Sequence, residues 1–455
     1  MIVLDGGKRG TLAVTGTLDA SSSAGRGGKI DIRGRKLEIG EGALVEASGA
    51  AGGGDIRIGG DRGGQGPGRN ADRVILAPEA RIIADATEIG DGGSIIVYGK
   101  ETARINGQLT ARGGPHGGDG GFVETSAAGT IEIAAEVEID ASAPAGEPGT
   151  WLIDPTDITI GIPDDPGTTV ANTILESVLQ TGNNVEVDTS QPPYGNASDS
   201  GAGNITVAAS IQPNLTEVYG NQQVILTLTA DNNVTINSGA TIGPTNTDAG
   251  SSMGVTITAG RNITNNGTID VAAGLGGAVN LTAASNIALG RINAGAGDIT
   301  ITATTGAVRD NTVAEPEIDS PNNENLVGGA INLTAGQDIG GAVGGNNIDI
   351  AATSLDATVT GSGGGGIFIA ETDNLALGRV DAITGDITLT AGGAITDVNS
   401  RIKEYGSEEE NLVGGVVSLT TGGGIGASGD GDIDTAVTGI DAQTTSGGIF
   451  IASIL

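Results

Sequence analysis

Paired carboxylates are the first residues in this sequence whose types could do chemistry. Asp164-Asp165 and Glu408-Glu409-Glu410 have the groups that cleave a glycosidic bond, where one acid donates a proton and another activates water or attacks the sugar. On an acidic polysaccharide that chemistry also needs Lys or Arg to neutralise the substrate, and both runs stand in loop-like stretches where cations are scarce. The Gly-Asp clusters GGDGG at 117–121 and GDGD at 429–432 raise calcium instead. The calcium nonapeptide requires G-G-x-G-x-D in tandem, and no tandem occurs, so these read as corners between strands. His116 is the only histidine and there is no cysteine, so a metal centre or a catalytic triad lacks its parts. Asn-x-Ser/Thr sequons at Asn196, Asn204, Asn214, Asn233, Asn262, Asn266, Asn280 and Asn332 read as by-products of Asn and Thr at corners and on strand faces. The expectation is a non-enzymatic protein with no cofactor and no catalytic, cofactor-binding or metal-binding residues.

Charge narrows the partners. The formal net charge is −34. Residues 1–150 carry 15 basic and 21 acidic side chains, a net of −6, and the remainder carry 6 and 34, a net of −28. Such a surface repels phosphate backbones and anionic lipid, so neither nucleic acid nor direct membrane insertion is expected. No apolar run approaches the roughly 18–20 residues of a spanning helix. MIVLDGGKRG does not have the layout of a signal peptide, and GGIFIASIL stops within what reads as a strand. Both ends read as cut from a longer sequence. A chain without cysteine also suits export in an unfolded state through an oxidising compartment.

The elements that must carry these residues are repeats. Gly-Gly opens a strand in GGKIDIRG (27–34), GGDIRIGG (53–60), GGSIIVYG (92–99) and GGFVETS (120–126). Between them recurs a second phrase: GTLDASS (16–22), ALVEASG (43–49), RIIADA (81–86), QLTARGG (108–114) and EVEIDAS (136–142). Each alternates apolar and polar residues and breaks at Gly, Ser or Ala, which reads as strand, corner, strand. Beyond residue 200 the phrase becomes LTLTA, VTITA, VNLTA, ITITA, INLTA, ITLTA and VSLTT. A longer period overlies it, NIALGRINAGAGDITITA at 286–303 returning as NLALGRVDAITGDITLTA at 374–391. Glycine fills 82 of the 455 positions while aromatic residues make up 2%, so the core must be narrow and aliphatic. These features predict an all-β chain, a parallel β-helix of coils of roughly 20–30 residues.

One stretch departs from that grammar. TVANTILESVLQTGNN (169–184) spaces Ile174, Leu175, Val178 and Leu179 as one face of a short helix near 172–182, with Thr173 and Glu176 as a capping box and Gly182 as the stop. Before it stands Trp151, the only tryptophan, followed by Asp154-Pro155-Thr156-Asp157, which reads as a type I turn. Trp151, Asp154, Pro155 and Asp157 are the expected structural junction, the indole covering the open end of a coil. The expected segments are 1–149, Gly-Gly-opened coils; 150–203, junction, helix and loop; and 204–455, an acidic repeat segment. Binding, if any, is expected in the loops 189–203 and 310–324.

GPHGGDGGFVETSA, VEIDASAPAGEPGTWLIDPTDITI and TILESVLQTGNNVEV, in that order, together with ALVEASGAAGGGDIRIGGD at 43–61, resemble the large exoproteins of the filamentous haemagglutinin family, passengers of bacterial two-partner secretion. The resemblance covers about residues 1–240 and continues to 455 as repeat texture. It implies a right-handed parallel β-helix and export through an outer-membrane pore-forming secretion partner. It also implies a secreted or cell-surface location on a Gram-negative-type bacterium and a stalk-like role in adhesion or aggregation toward an unknown host-cell or bacterial ligand. The family's N-terminal secretion domain, with its Asn-Pro-type signals, has no counterpart here. A passenger segment of a secreted toxin or contact-dependent inhibitor is the alternative, and a polysaccharide-active β-helix enzyme a second one.

Overall fold

Three short strands, not two, recur in each of the early repeats. The computed structural model describes residues 1–167, 169–190, 203–216, 222–248, 250–312, 324–342, 346–399, 409–429 and 431–453. The first strands are β1 (Ile2–Asp5), β4 (Lys29–Arg33), β7 (Asp55–Ile58), β10 (Ser94–Gly99), β13 (Phe122–Ala127) and β16 (Thr150–Asp154). The second are β2 (Thr11–Val14), β5 (Lys36–Ile39), β8 (Arg73–Leu76), β11 (Thr102–Ile105) and β14 (Thr130–Ile133). The third are β3 (Thr17–Asp19), β6 (Leu44–Glu46), β9 (Arg81–Ile83), β12 (Gln108–Thr110) and β15 (Glu138–Asp140). The Gly-Gly phrase and the second phrase mark the first and third strands as expected, and the middle strands are the addition.

Each strand pairs in parallel with its counterpart in the next repeat. Ile30 stands between Ile2 and Ile56, Ile95 between Ile56 and Val123, and Trp151 between Val123 and Val185. Leu37, Val74 and Ala103 align in the second sheet, and Val45, Ile82 and Leu109 in the third. All of these side chains except Ile2 are buried. Because strand side chains alternate, an in-register parallel ladder stacks like on like, and aliphatic residues fill such a column without large rings. Each fully buried Ile, Leu or Val contributes about 1.5–3 kcal/mol.

The corner from third strand to first explains the Gly-Gly pair. The second glycine's N–H donates to an alanine carbonyl: Gly28 to Ala20 at 2.8 Å, Gly54 to Ala47 at 2.8 Å, Gly93 to Ala84 at 2.7 Å and Gly121 to Ala111 at 2.8 Å. The first glycine lets the next repeat's alanine approach. A Cβ on Gly27, Gly53, Gly92 or Gly120 would lie 1.8, 1.9, 2.0 or 1.9 Å from the carbonyl oxygen of Ala47, Ala84, Ala111 or Ala141. Close approach, rather than a left-handed backbone, demands glycine here. The Gly-Asp motifs add a second tie between repeats. Asp91 Oδ1 accepts the Asp119 N–H, and Asp119 Oδ1 accepts the Glu147 N–H, both at 2.9 Å.

After β16 come β17 (Ile158–Gly161), β18 (Val170–Ala171), helix α1 (Asn172–Gln180) and β19 (Asn184–Asp188). The helix lies where expected, buries Ile174, Leu175, Val178 and Leu179, and packs against β15, β18 and β19. It is reached after β17, where earlier repeats place their third strand. The capping box does not form. The N-cap is Ala171, the last residue of β18, and it offers no side-chain cap. Glu176 instead accepts the Gln212 N–H at 2.7 Å, and Asn172 Nδ2 donates to the Ser210 carbonyl at 2.7 Å. Strand pairing of Gly161 with Ala171 fixes the entry to the helix before Thr173 can cap it. Gly182, at φ +81°, stops it as expected.

The chain divides into two compact units, residues 1–234 with 242–256, and residues 235–241 with 257–455. In the second, Val279, Ile299 and Ile331 align, as do Leu281, Ile301 and Leu333, with Asn280, Thr300 and Asn332 between them. Four strands here are longer, Leu326–Ala335, Ile348–Val359, Leu412–Thr421 and Ile433–Thr444. The long period of the sequence returns as identical bonds. Asn286 Oδ1 accepts the Ala307 N–H at 3.0 Å and Asn374 Oδ1 the Ala394 N–H at 2.8 Å. Asp298 Oδ1 accepts from Ala330 and Asp386 Oδ1 from Val416, both at 2.9 Å. One corner differs between the copies. Gly295 sits at φ +61°, and its counterpart Ile383 at φ +57°. The loops expected at 189–203 and 310–324 fall outside the described residues over 191–202 and 313–323, as does Glu408.

Gly53→Ala is expected to destabilise the first unit by about 3 kcal/mol, because the methyl group meets a carbonyl oxygen that the ladder holds in place. Gly16→Ala meets nothing within 4 Å and serves as the control. Urea unfolding followed by the fluorescence of Trp151 compares them, and equal midpoints would remove the close-approach argument.

Candidate functional site

Strands β13, β16 and β19 turn one set of side chains into the core and the other toward residues 59–72, the loop between β7 and β8. Thr125, Trp151 and Ile153 face inward and are fully buried. The indole Nε1–H donates to Thr125 Oγ1 at 3.1 Å. The ladder continues on both sides of Trp151, so the ring fills the interior of paired strands and covers no open end.

The opposite face is acidic. Glu124 aligns with Leu152 and Glu186, and Ser126 aligns with Asp154. Asp154 and Asp188 each follow the paired residues Ile153 and Val187. Glu124 is 0% exposed, Asp154 8% and Asp188 7%. Over them lies a 3-10 turn, Arg62–Gly64. The Gly63 N–H donates to Glu124 Oε1 at 2.7 Å, and the Ser126 hydroxyl donates to the same oxygen. Glu124 Oε2 is buried without a hydrogen-bond partner. The Arg62 guanidinium stands 4.5 Å from the centroid of the Phe122 ring, a cation–π contact. Gly64, at φ +69°, lies so flat on Tyr98 that an added Cβ would sit 2.4 Å from the ring. Asp61 anchors the start of the turn by ion pairs to Arg57 and Arg33.

Burial dominates the electrostatics. It pushes the Asp154 carboxyl up to about 8, helped by the negative charges of Asp188, Glu124 and Glu186 and opposed by Arg62. Burial also raises Glu124, against the hydrogen bonds from Ser126 and Gly63 and the charge of Arg62. Glu186 is raised by burial and then by Asp188. At neutral pH Asp154 therefore holds its proton. Four acids can share this face because protonation removes part of their mutual repulsion. The arrangement keeps a proton on Asp154 beneath the turn, and the Glu124 carboxylate ties the loop down through the Gly63 N–H.

The other sequence-derived residues scatter. Pro155 is buried, and the chain bends at Thr156–Asp157 rather than closing a hydrogen-bonded turn. Asp157 Oδ1 accepts the Asn204 N–H at 2.7 Å, tying the bend to a later repeat. Asp164 and Asp165 are exposed in the loop after β17. Glu409 and Glu410 lie 3.9 and 3.8 Å from Arg379. His116 is exposed, with Nε2 4.0 Å from Glu88. Several sequon asparagines are ladder residues: Asn204 Oδ1 accepts the Asn233 N–H at 3.3 Å and Asn262 Oδ1 the Asn286 N–H at 3.1 Å. Sequence reasoning missed Glu124, Arg62 and the loop that carries Arg62. The available signal was length: DIRI and RVIL are separated by residues 59–72, where β4 and β5, or β10 and β11, are separated by two residues.

Compared with known proteins, the sequence matches no family model. No curated protein matches it significantly.

A carboxyl raised on folding is protonated in the folded chain and ionised in the unfolded one between about pH 4, the ordinary aspartate value, and about pH 8. The stability that Asp154 contributes is thus full below about pH 4 and is lost as pH rises toward 8. Wild-type protein is expected to lose several degrees of Tm between pH 5 and pH 8.5, and Asp154→Asn, which mimics the protonated acid, to lose clearly less. Thermal melts read by Trp151 fluorescence at the two pH values check this, and parallel slopes would contradict it.

Proposed function

We propose that the chain is a right-handed parallel β-helix and acts as a non-enzymatic scaffold of a secreted, surface-displayed adhesin-type exoprotein of the filamentous haemagglutinin kind. The observation that carries this reading is the in-register parallel pairing of each strand with its counterpart in the following repeat, closed at every early corner by a glycine-to-alanine bond. Coils built this way are held by local, repeated contacts, and each needs only its neighbours to fold. The acidic surface suits display, since like charges keep chains apart and exposed strand edges unpaired with other copies. The buried acids of β13, β16 and β19 serve the scaffold, because they are sealed against substrate under residues 62–64. Export of the parent protein would use an outer-membrane pore-forming partner, and recognition of a host-cell or bacterial surface would lie in loops that depart from the repeat.

Beads coated with purified protein are expected to attach to host cells or sibling bacteria several times more often than uncoated beads, and to release no sugar from acidic or neutral polysaccharides. Turnover of a polysaccharide would overturn the non-enzymatic reading, and attachment no better than that of uncoated beads would overturn the adhesive one.

A further inference from the structure

Residues 59–72 do more than cover the acidic face. Their last residues reach the corner between the first and second strands, where four successive repeats each place a cation or cations. Lys8 lies between β1 and β2, Arg35 between β4 and β5, Arg69 just before β8, and Lys100 between β10 and β11. With Asn70 and Asp72 they line a cleft of about 410 Å³, within the usual range of about 300–1,000 Å³ for small-ligand sites. Backbone bonds fix the column. The Arg35 carbonyl accepts from Asp72 N–H at 2.8 Å, and the Ala71 carbonyl from Lys100 N–H at 2.7 Å. The Asp72 carbonyl accepts from Glu101 N–H at 2.8 Å.

Charge pairing leaves a surplus. Arg35 Nε binds Asp72 Oδ2 at 2.8 Å, and Arg69 Nη1 stands 3.6 Å from Asp5 Oδ1. Arg69 Nη1 is buried and makes no hydrogen bond. Lys8 and Lys100 are exposed, and among the described residues neither ammonium is in an ion pair. The cleft therefore keeps about two positive charges in a chain of net −34. Two uncompensated charges beside guanidinium donors match one compact dianion. A long polyanion would extend beyond the cleft onto a segment that carries a net −6 over residues 1–150. The Asp72 carboxylate supplies an acceptor for hydroxyl groups, and the Asn70 amide, which donates one N–H to the Gly64 carbonyl at 2.8 Å, keeps its second N–H for them.

We infer that this cleft binds a phosphomonoester carried on a polyhydroxylated group such as a sugar. Lys8 and Lys100 neutralise the phosphate, Arg35 and Arg69 orient its oxygens, and Asn70 and Asp72 meet the hydroxyls. The site needs no catalysis and no part of the acidic face.

Isothermal titration of the full chain with glucose 6-phosphate, inorganic sulfate and glucose at low salt tests the assignment. Binding of glucose 6-phosphate is expected, at least tenfold tighter than either other probe, and at least tenfold weaker in the Lys8→Gln/Lys100→Gln double variant. Arg69→Gln, read separately, is expected to weaken it as well. Circular dichroism and the Trp151 melt establish that the variants fold, which two exposed lysines favour. No binding by the folded wild-type chain, equal binding by the double variant, or equally tight binding of sulfate would each overturn the proposal. Retention on phosphatidic acid vesicles without binding of glucose 6-phosphate would overturn the polyol carrier in favour of a lipid phosphate.

Discussion

A hydrogen bond from a glycine N–H to an alanine carbonyl governs the first unit. Made by Gly28, Gly54, Gly93 and Gly121, it brings the end of each third strand back to the start of the following first strand. Three strands of three to six residues could not keep register alone, since short strands lose much backbone entropy for few contacts. With the corner fixed, the strands above and below share one phase, and inward residues such as Ile30, Ile56, Ile95 and Val123 fall in one column. The glycines at these corners follow from that closure, and aliphatic residues aligned in register need few aromatic rings to fill the core. Trp151 is compatible with it because its ring takes the position of a column residue and its N–H finds Thr125 within the core.

The legible part of the fold was the part written in local chemistry. Gly-Gly marks the first strands because no side chain fits there, and the phrases ending in Ala mark the third because their carbonyls receive the corner bond. The middle strands KLEI, TARI and TIEI were harder to see. Each begins after a two-residue break, too short to separate it from the strand before. The helix was legible from its buried face, whereas its cap was not, because the pairing of β17 with β18 decides where the helix starts. Asp154 was legible as a residue before proline. Its burial was not, since that depends on a loop from a distant repeat folding across it.

Residues 59–72 thus join two chemistries of opposite sign. Their first part lays Arg62 and Gly63 over carboxyl groups that ionise reluctantly, and their last part delivers Arg69 and Asn70 to a corner rich in cations. Asp154 holds its proton at neutral pH, and the cations are partly paired with Asp5 and Asp72. Both rest on the same device, a corner of fourteen residues in a series where the other early corners between first and second strands have two to five. Uniform repeats supply a surface and the exceptional corner supplies distinct chemistry, in line with the general concentration of function in loops on a rigid scaffold.

Ile383 shows what the repeat tolerates. A β-branched residue in the left-handed region is strained by roughly 1–2 kcal/mol, and the equivalent position in the earlier copy is Gly295. The same bond is nonetheless made at both, the residue's N–H reaching Asn293 Oδ1 at 3.2 Å and Asp381 Oδ1 at 2.8 Å. Where strands pair with their counterparts in adjoining repeats, such strain stays in its own corner. Amide hydrogen exchange would then register it as faster local opening around residues 381–385, while the protection of distant strands stays as it was.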